Sequence, residues 1–292
     1  MKWLSSGAVA LGLALLSFAS QAEETEKRLA ADPRGQVDIV SRAGSVEVRG
    51  WDRPEVAVRV DLTSSQHLEF ENDGRHTQVR IETRGQKSSS VDLVVQVPEG
   101  SAVSINSISA DQDVRNVRGS QRLQSVSGQI ETDVWADDLQ IKTISGDTRV
   151  TGHKVPGVID ISSISGSIAL RDIAGEVEME TVSGDARVNM GELTRGRVRT
   201  TSGSVEWTSS LARDARLDAE ALSGDLKFRL AGKVDAEFDI ETFAGEIDNC
   251  FGPKAKHTRE FGPGQSLRFV EGKGSARVAI KTHNGGVEIC DH

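Results

Sequence analysis

One short phrase recurs down the chain: a small polar residue, usually an apolar residue, then Ser and Gly. It stands at Ser125-Val126-Ser127-Gly128, Thr143-Ile144-Ser145-Gly146, Ser163-Ile164-Ser165-Gly166, Thr181-Val182-Ser183-Gly184, Thr200-Thr201-Ser202-Gly203 and Ala221-Leu222-Ser223-Gly224. Weaker copies follow at Phe243-Ala244-Gly245 and His283-Asn284-Gly285. From Gly128 the glycines are 18, 20, 18, 19, 21 and 21 residues apart, and then 40. A period near twenty means a unit too small to bury its own apolar face, which must stack on its neighbours.

Alignment on the glycine shows what one unit is. Five residues before it stand Leu123, Ile141, Ile161, Met179, Val198, Ala219, Ile240 and Ile280. Two after it stand Ile130, Ile168, Val205, Leu226, Ile247 and Val287, and four after it Val150, Leu170, Val188, Trp207, Phe228 and Ile289. Apolar residues alternate with polar ones at period two on both sides of the glycine, so each unit is two short strands and not a helix. The fold class expected is all-β: a parallel β-solenoid, or β-helix, with coils of about twenty residues. The apolar phase shifts between positions minus five and minus two. A corner is expected there, with the apolar residue of the phrase turned inward, its two hydroxyls outward and the glycine supplying a permissive backbone. In the middle five copies Asp and Ser alternate after the glycine: Asp147, Ser167, Asp185, Ser204 and Asp225. Alternation keeps like charges from facing one another on neighbouring strands.

Residues 1–22 read as a secretory signal peptide, with Lys2, an apolar run from Ala8 to Phe18 and a Ser20-Gln21-Ala22 cleavage site. That run is too short to span a bilayer, and no later stretch is apolar enough to cross one. An exported protein is expected, periplasmic first, with cell surface or secretion as alternatives. Residues 23–100 lack the phrase but carry strand-like runs between turn clusters, and are expected to form an N-terminal β cap on the repeat region 101–292. A segment near 253–275, rich in Pro and Gly, is expected as an inserted loop or hairpin. Cys250 and Cys290 each lie five residues after a repeat glycine. The interval of 40 means either two coils or one coil with an insertion. Neighbouring coils lie about 4.8 Å apart, within reach of a disulfide, and one disulfide, Cys250–Cys290, is expected to close the C-terminal end; two free thiols are the alternative.

Val-Ser-Gly-Asp repeats, the Gly50-Trp51-Asp52 turn after Gly44-Ser45-Val46-Glu47-Val48, and Leu93-Val94-Val95-Gln96-Val97-Pro98-Glu99-Gly100 resemble the DUF4097 family of bacterial adhesin-like proteins. The resemblance runs from about Gln36 to Ile289. It implies an exported β-helix of bacterial envelopes, with no catalytic residues to carry over.

Chemistry is sparse in the sequence. The six histidines share no ligand spacing, and nucleophile-elbow, phosphate-loop and His-Glu-x-x-His patterns are absent, so no catalytic, metal or cofactor residues are assigned. A net charge of −9, spread along the chain, gives no electrostatic footprint for nucleic acid. The function expected is a non-catalytic adhesin or envelope-binding scaffold acting through repeated columns. Its candidate face is Ser127, Ser145, Asp147, Ser165, Asp185, Ser202, Ser223 and Asp225, and its partner a glycan or protein of the envelope. Two alternatives stay open. One is a polysaccharide-acting β-helix enzyme, whose carboxylate pair would be Asp147 and Asp185. The other is an ice- or surface-binding solenoid, resting on the Thr/Ser-x-Ser columns.

Overall fold

The computed structural model describes residues 23–83, 90–258 and 262–291. The expected signal peptide lies outside them. The chain is all-β, with no helix among the described residues, and its strands join through hydrogen bonds into one sheet.

Each copy of the phrase forms a rung made of a strand, a glycine corner and a second strand, as in Leu139–Ser145, Gly146 and Thr148–Gly152. Successive rungs pair in parallel and in register. Ile141 faces Leu123 on one side and Ile161 on the other, and Val150 faces Thr132 and Leu170. Equivalent residues therefore form columns along the stack. The column five before the glycine is solvent-free from Leu123 to Ile280, and Trp207 and Phe228 fill the column four after it. The interior is thus a narrow, continuous apolar core.

Glycine is required at the corner for two separate reasons. Its φ lies between +123° and +133° from Gly128 to Gly224, a region that side chains oppose. A Cβ at Gly146, Gly166, Gly184, Gly203 or Gly224 would also stand 2.1–2.2 Å from the carbonyl oxygen of the preceding corner glycine. Corners stack backbone on backbone, with no room for a methyl.

The corner is not where the sequence placed it. Alternation continues unbroken through position minus three, and the chain turns only at the Ser-Gly step. As a result the expected orientation of the phrase is reversed. Hydroxyl residues at minus three point inward: Ser107, Ser125, Thr143, Ser163, Thr181 and Thr200 are buried. The apolar residues at minus two, Ile108, Val126, Ile144, Ile164, Val182 and Leu222, are 44–54% exposed. Hydrogen bonding accompanies the reversal at Ser125, Thr143, Ser163 and Thr181. Each donates to the carbonyl of the serine two residues on, at 3.0–3.4 Å, and the Ser165 carbonyl also accepts the backbone N–H of Gly146 from the neighbouring rung.

At both ends the order of rungs in space departs from their order in the chain. Gln36–Trp51 lies between Ala102–Arg115 on one side and His76–Thr83 with Val91–Pro98 on the other, so a later segment is the outer one. Glu55–Leu62 and Gln66–Asn72 pair antiparallel with that outer rung, and Glu23–Ala30 pairs antiparallel with Glu55–Leu62. At the other end the last rung, Ala276–Asn284 and Val287–Cys290, inserts between the Gly224 and Gly245 rungs and pairs in parallel with both. Gln265–Glu271 then covers the Gly245 rung as an antiparallel strand, and Phe269 stacks on Phe238 at 4.6 Å. Residues 253–275 also carry Lys256–His257, paired antiparallel with Gln265–Glu271.

Insertion explains the interval of 40 between the last two glycines. The 40 residues are one coil enlarged by the antiparallel strands Lys256–His257 and Gln265–Glu271: the chain runs out along the edge strand and returns one rung inside. Cys250 and Cys290 thereby become lateral neighbours and form a disulfide, with their Cα atoms 4.9 Å apart.

Candidate functional site

The reversed phrase builds an exposed ladder. In stack order its members are Ile108, Val126, Ile144, Ile164 and Val182, followed by Thr201, Leu222, His283 and Phe243. Beyond Ile108 the same column holds Arg42, which bounds the aliphatic run at that end. At the other end the rings of His283 and Phe243 stack with centroids 4.6 Å apart. The aliphatic stretch therefore occupies the middle of the stack.

Two residues before each ladder member stands a polar one, also directed outward. In stack order these are Asn106, Gln124, Lys142, Ser162, Glu180, Arg199, Glu220, Lys281 and Glu241. Between this wall and the ladder runs an open trough of about 770 Å³, continuous over seven rungs from Asn106 to Leu222, with the backs of the buried hydroxyl positions as its floor. Along the wall Arg199 bonds Glu180 at 2.9 Å and lies 3.7 Å from Glu220. The hydrogen bond that Arg199 donates to Glu180, and then the charge of Glu180, hold the pKa of the Arg199 guanidinium above its ordinary value. Lys142 makes no ion pair among the described residues, and its neighbours in the column, Gln124 and Ser162, are uncharged.

On the far side of the ladder lie the serine and aspartate columns expected from the sequence. The structure brings Ser145, Ser165, Ser202 and Ser223 to the surface as one row, with Ser127 half-buried at its start. Asp147, Asp185 and Asp225 are exposed one step beyond the glycines. Each of these carboxylates has a structural task. Asp111 accepts the backbone N–H of Gln129, Asp147 that of Ser167, Asp185 that of Ser204 and Asp225 that of Gly286, at 2.8–3.0 Å. An acid on one rung thus caps a donor on the next, and the next rung needs none.

This alternation is spatial. Along the stack the column reads Asp92, Ser45, Asp111, Gln129, Asp147, Ser167, Asp185, Ser204, Asp225, Gly286, Glu246. No two acids are adjacent, although chain order would have put Asp92 beside Asp111 and Asp225 beside Glu246. The polar wall obeys the same rule, since the insertion sets Lys281 between Glu220 and Glu241.

These facts bear on the chemistry available. Asp147 and Asp185 stand two rungs apart, about 9.6 Å, with Ser167 between them, and one oxygen of each is committed to a backbone donor. Paired hydroxyl columns of the kind an ice-binding array presents are not formed, because the hydroxyls at minus three, from Ser107 to Thr200, are buried. Among the described residues no three His, Cys, Asp or Glu side chains gather as a metal site would need, and no helix is long and apolar enough to cross a membrane. The surface residues that the sequence misplaced are the ladder aliphatics. Their parity with the polar residues two before them was the available signal.

A model of the Toastrack DUF4097 family matches residues 35–290. No curated protein matches the chain. Among solved structures, a "putative adhesin" from Parabacteroides distasonis is 13% identical with a TM-score of 0.45, covering 92% of this chain and 98% of its own. Another from Bacteroides fragilis is 8% identical with a TM-score of 0.40, covering 92% and 98%. A "putative lipid binding protein" from Parabacteroides distasonis is 12% identical with a TM-score of 0.36, covering 91% and 96%.

Proposed function

We propose that this chain, which belongs to the Toastrack DUF4097 family, is an exported, non-catalytic binding scaffold of adhesin type that holds an envelope component along its serine–glycine corner. The repeat region acts as a parallel β-solenoid, and the antiparallel strands at its two ends serve as caps that close the open hydrogen-bonding edges. The binding face comprises the aliphatic ladder, with the Ser145, Ser165, Ser202 and Ser223 row and Asp147, Asp185 and Asp225 beside it.

One observation carries this reading: a row of half-exposed aliphatic side chains, continuous from Ile108 to Val182 and resumed at Leu222 after Thr201. Scattered surface aliphatics need no explanation, but a contiguous patch marks an interaction site. Identical contacts repeated at rung spacing add through effective concentration, so a partner with its own repeat would be held by avidity. The test is retention on isolated bacterial envelope fractions. The triple variant Ile144→Ser, Ile164→Ser, Val182→Ser should lose retention at least tenfold while melting as the parent does. Unchanged retention would refute the assigned face.

A further inference from the structure

We infer that the trough between the ladder and the polar wall seats one linear acyl chain, that of a single-chain fatty acid, with its carboxylate at Lys142. This rests on the proposed binding role of the same face and names its ligand class.

Dimensions favour a thin ligand. Six half-exposed aliphatic side chains in single file make a patch on the order of 300–600 Å². A stable protein partner needs about 800 Å² from each side. The trough volume of about 770 Å³ falls in the range of small-molecule sites, roughly 300–1,000 Å³. Its seven rungs, at about 4.8 Å each, give a length of about 29 Å. One leaflet of a bilayer core, the reach of a single acyl chain, is about 15 Å, so an entire chain fits with one end to spare. From Ile144 through Ile164 and Val182 to Leu222 it would meet aliphatic contacts with one break, at Thr201.

Charge fixes the head. Glu180, Arg199 and Glu220 are engaged with one another along the wall. Lys142 is the one trough cation without an ion pair among the described residues, and it stands beside Ile144 at the start of that path. A carboxylate there would complete a pairing that the protein leaves open. The methylenes would then lie along the ladder, with burial as the driving force.

The test is calorimetric titration of the full mature chain with palmitate below its aggregation threshold. Saturable binding at one site is expected, weakened at least tenfold by Ile164→Asn and several-fold by Lys142→Gln. Both residues are exposed, so the fold should persist; an unshifted melting curve checks this, and Val182→Asn serves as the second ladder variant. Hexadecyltrimethylammonium, with the same chain and the opposite charge, should bind more weakly than palmitate. The inference fails if palmitate does not saturate, if its binding ignores both ladder variants, or if the cationic amphiphile binds as well. Ladder-dependent envelope retention without palmitate binding, or ladder-dependent capture of a protein instead, would overturn the acyl chain and leave the binding face standing. Palmitate binding with retention indifferent to the ladder would instead overturn the scaffold reading.

Discussion

From Gly128 to Gly224 the rungs stack in the order in which the chain makes them; at the two ends they do not. In the middle each rung adds to the one before it, and the corner repeats its residue types: glycine at the turn, hydroxyl beneath except at Ala221, aliphatic outside except at Thr201. At each end the chain passes over a rung, forms an outer one, and leaves or returns through the inside. The difference separates two tasks. The uniform middle presents a surface, whereas the ends place antiparallel strands over the outermost parallel rungs. Charged and aromatic residues at Arg42, His283 and Phe243 interrupt the ladder where the order changes.

The largest expected effect falls on the middle. Gly166→Ala would put a methyl 2.2 Å from the Gly146 carbonyl oxygen at φ +123°, and should cost about 3–5 kcal/mol by urea unfolding. Gly232, at φ +85° with nothing within 4 Å of its Cβ, is the control. Its replacement by Ala should cost only about 1 kcal/mol. Equal losses at the two sites would mean that backbone conformation alone, and not the stacked corner, demands glycine.

Next comes the disulfide, which acts on one end. Cys250→Ser with Cys290→Ser should cost about 2–4 kcal/mol. Hydrogen exchange should quicken in Ala236–Ala244 and Ala276–Asn284 while Leu139–Ser145 keeps its protection. Uniform loss of protection would show that the ends and the middle open together.

A smaller effect probes the insertion itself. A double-mutant cycle between Glu220 and Lys281 should give a favourable coupling of about 0.2–1 kcal/mol, as exposed pairs do. The same cycle between Glu220 and Glu241 should give none, because Lys281 separates them. Measurable repulsion between the two glutamates would contradict the inserted order.

The smallest expected effect is at Asp235. It accepts backbone N–H groups from Ser275 at 3.2 Å and Lys273 at 2.7 Å, in the turn that leads into the inserted rung. Those bonds hold its carboxyl below the ordinary value. A depressed folded pKa contributes stability that is present above the unfolded carboxylate value, about 3.9, and is lost as pH falls through the folded one. Asp235→Asn should therefore lower the melting temperature slightly at neutral pH, with the difference vanishing in acid. A difference that persisted in acid would assign it to something other than the carboxylate.

Much of this was legible in the residues. The glycine interval and the period-two columns at minus five, plus two and plus four located the rungs and their core, because each follows from strand geometry alone. The reach of Cys250 to Cys290 was legible for the same reason, although the route between them was not. Two features resisted. Ile144 and its equivalents were placed inside because apolar residues ordinarily go there. The hydroxyls at minus three take the inner position instead, where Ser125, Thr143, Ser163 and Thr181 bond the carbonyl of the serine two residues on. The order of the ends is a non-local property that no window of twenty residues contains. Its trace was nevertheless present: Asp225, Glu246 and Gly286 break the acid alternation in chain order and restore it once the last rung moves inward.

Engineered cross-linking tests that inserted order most directly. Ser223 and Asn284 are register partners on adjacent rungs. Ser223 and Ala244 lie two rungs apart with Asn284 between them. Two rungs span about 9.6 Å, outside the Cα window of about 4.4–6.8 Å for a disulfide. With the native Cys250–Cys290 bond intact, the pair Ser223→Cys, Asn284→Cys should oxidise to a bond detectable by peptide mass spectrometry, and the pair Ser223→Cys, Ala244→Cys should stay reduced. Bonding of the second pair and not the first would contradict the inserted rung.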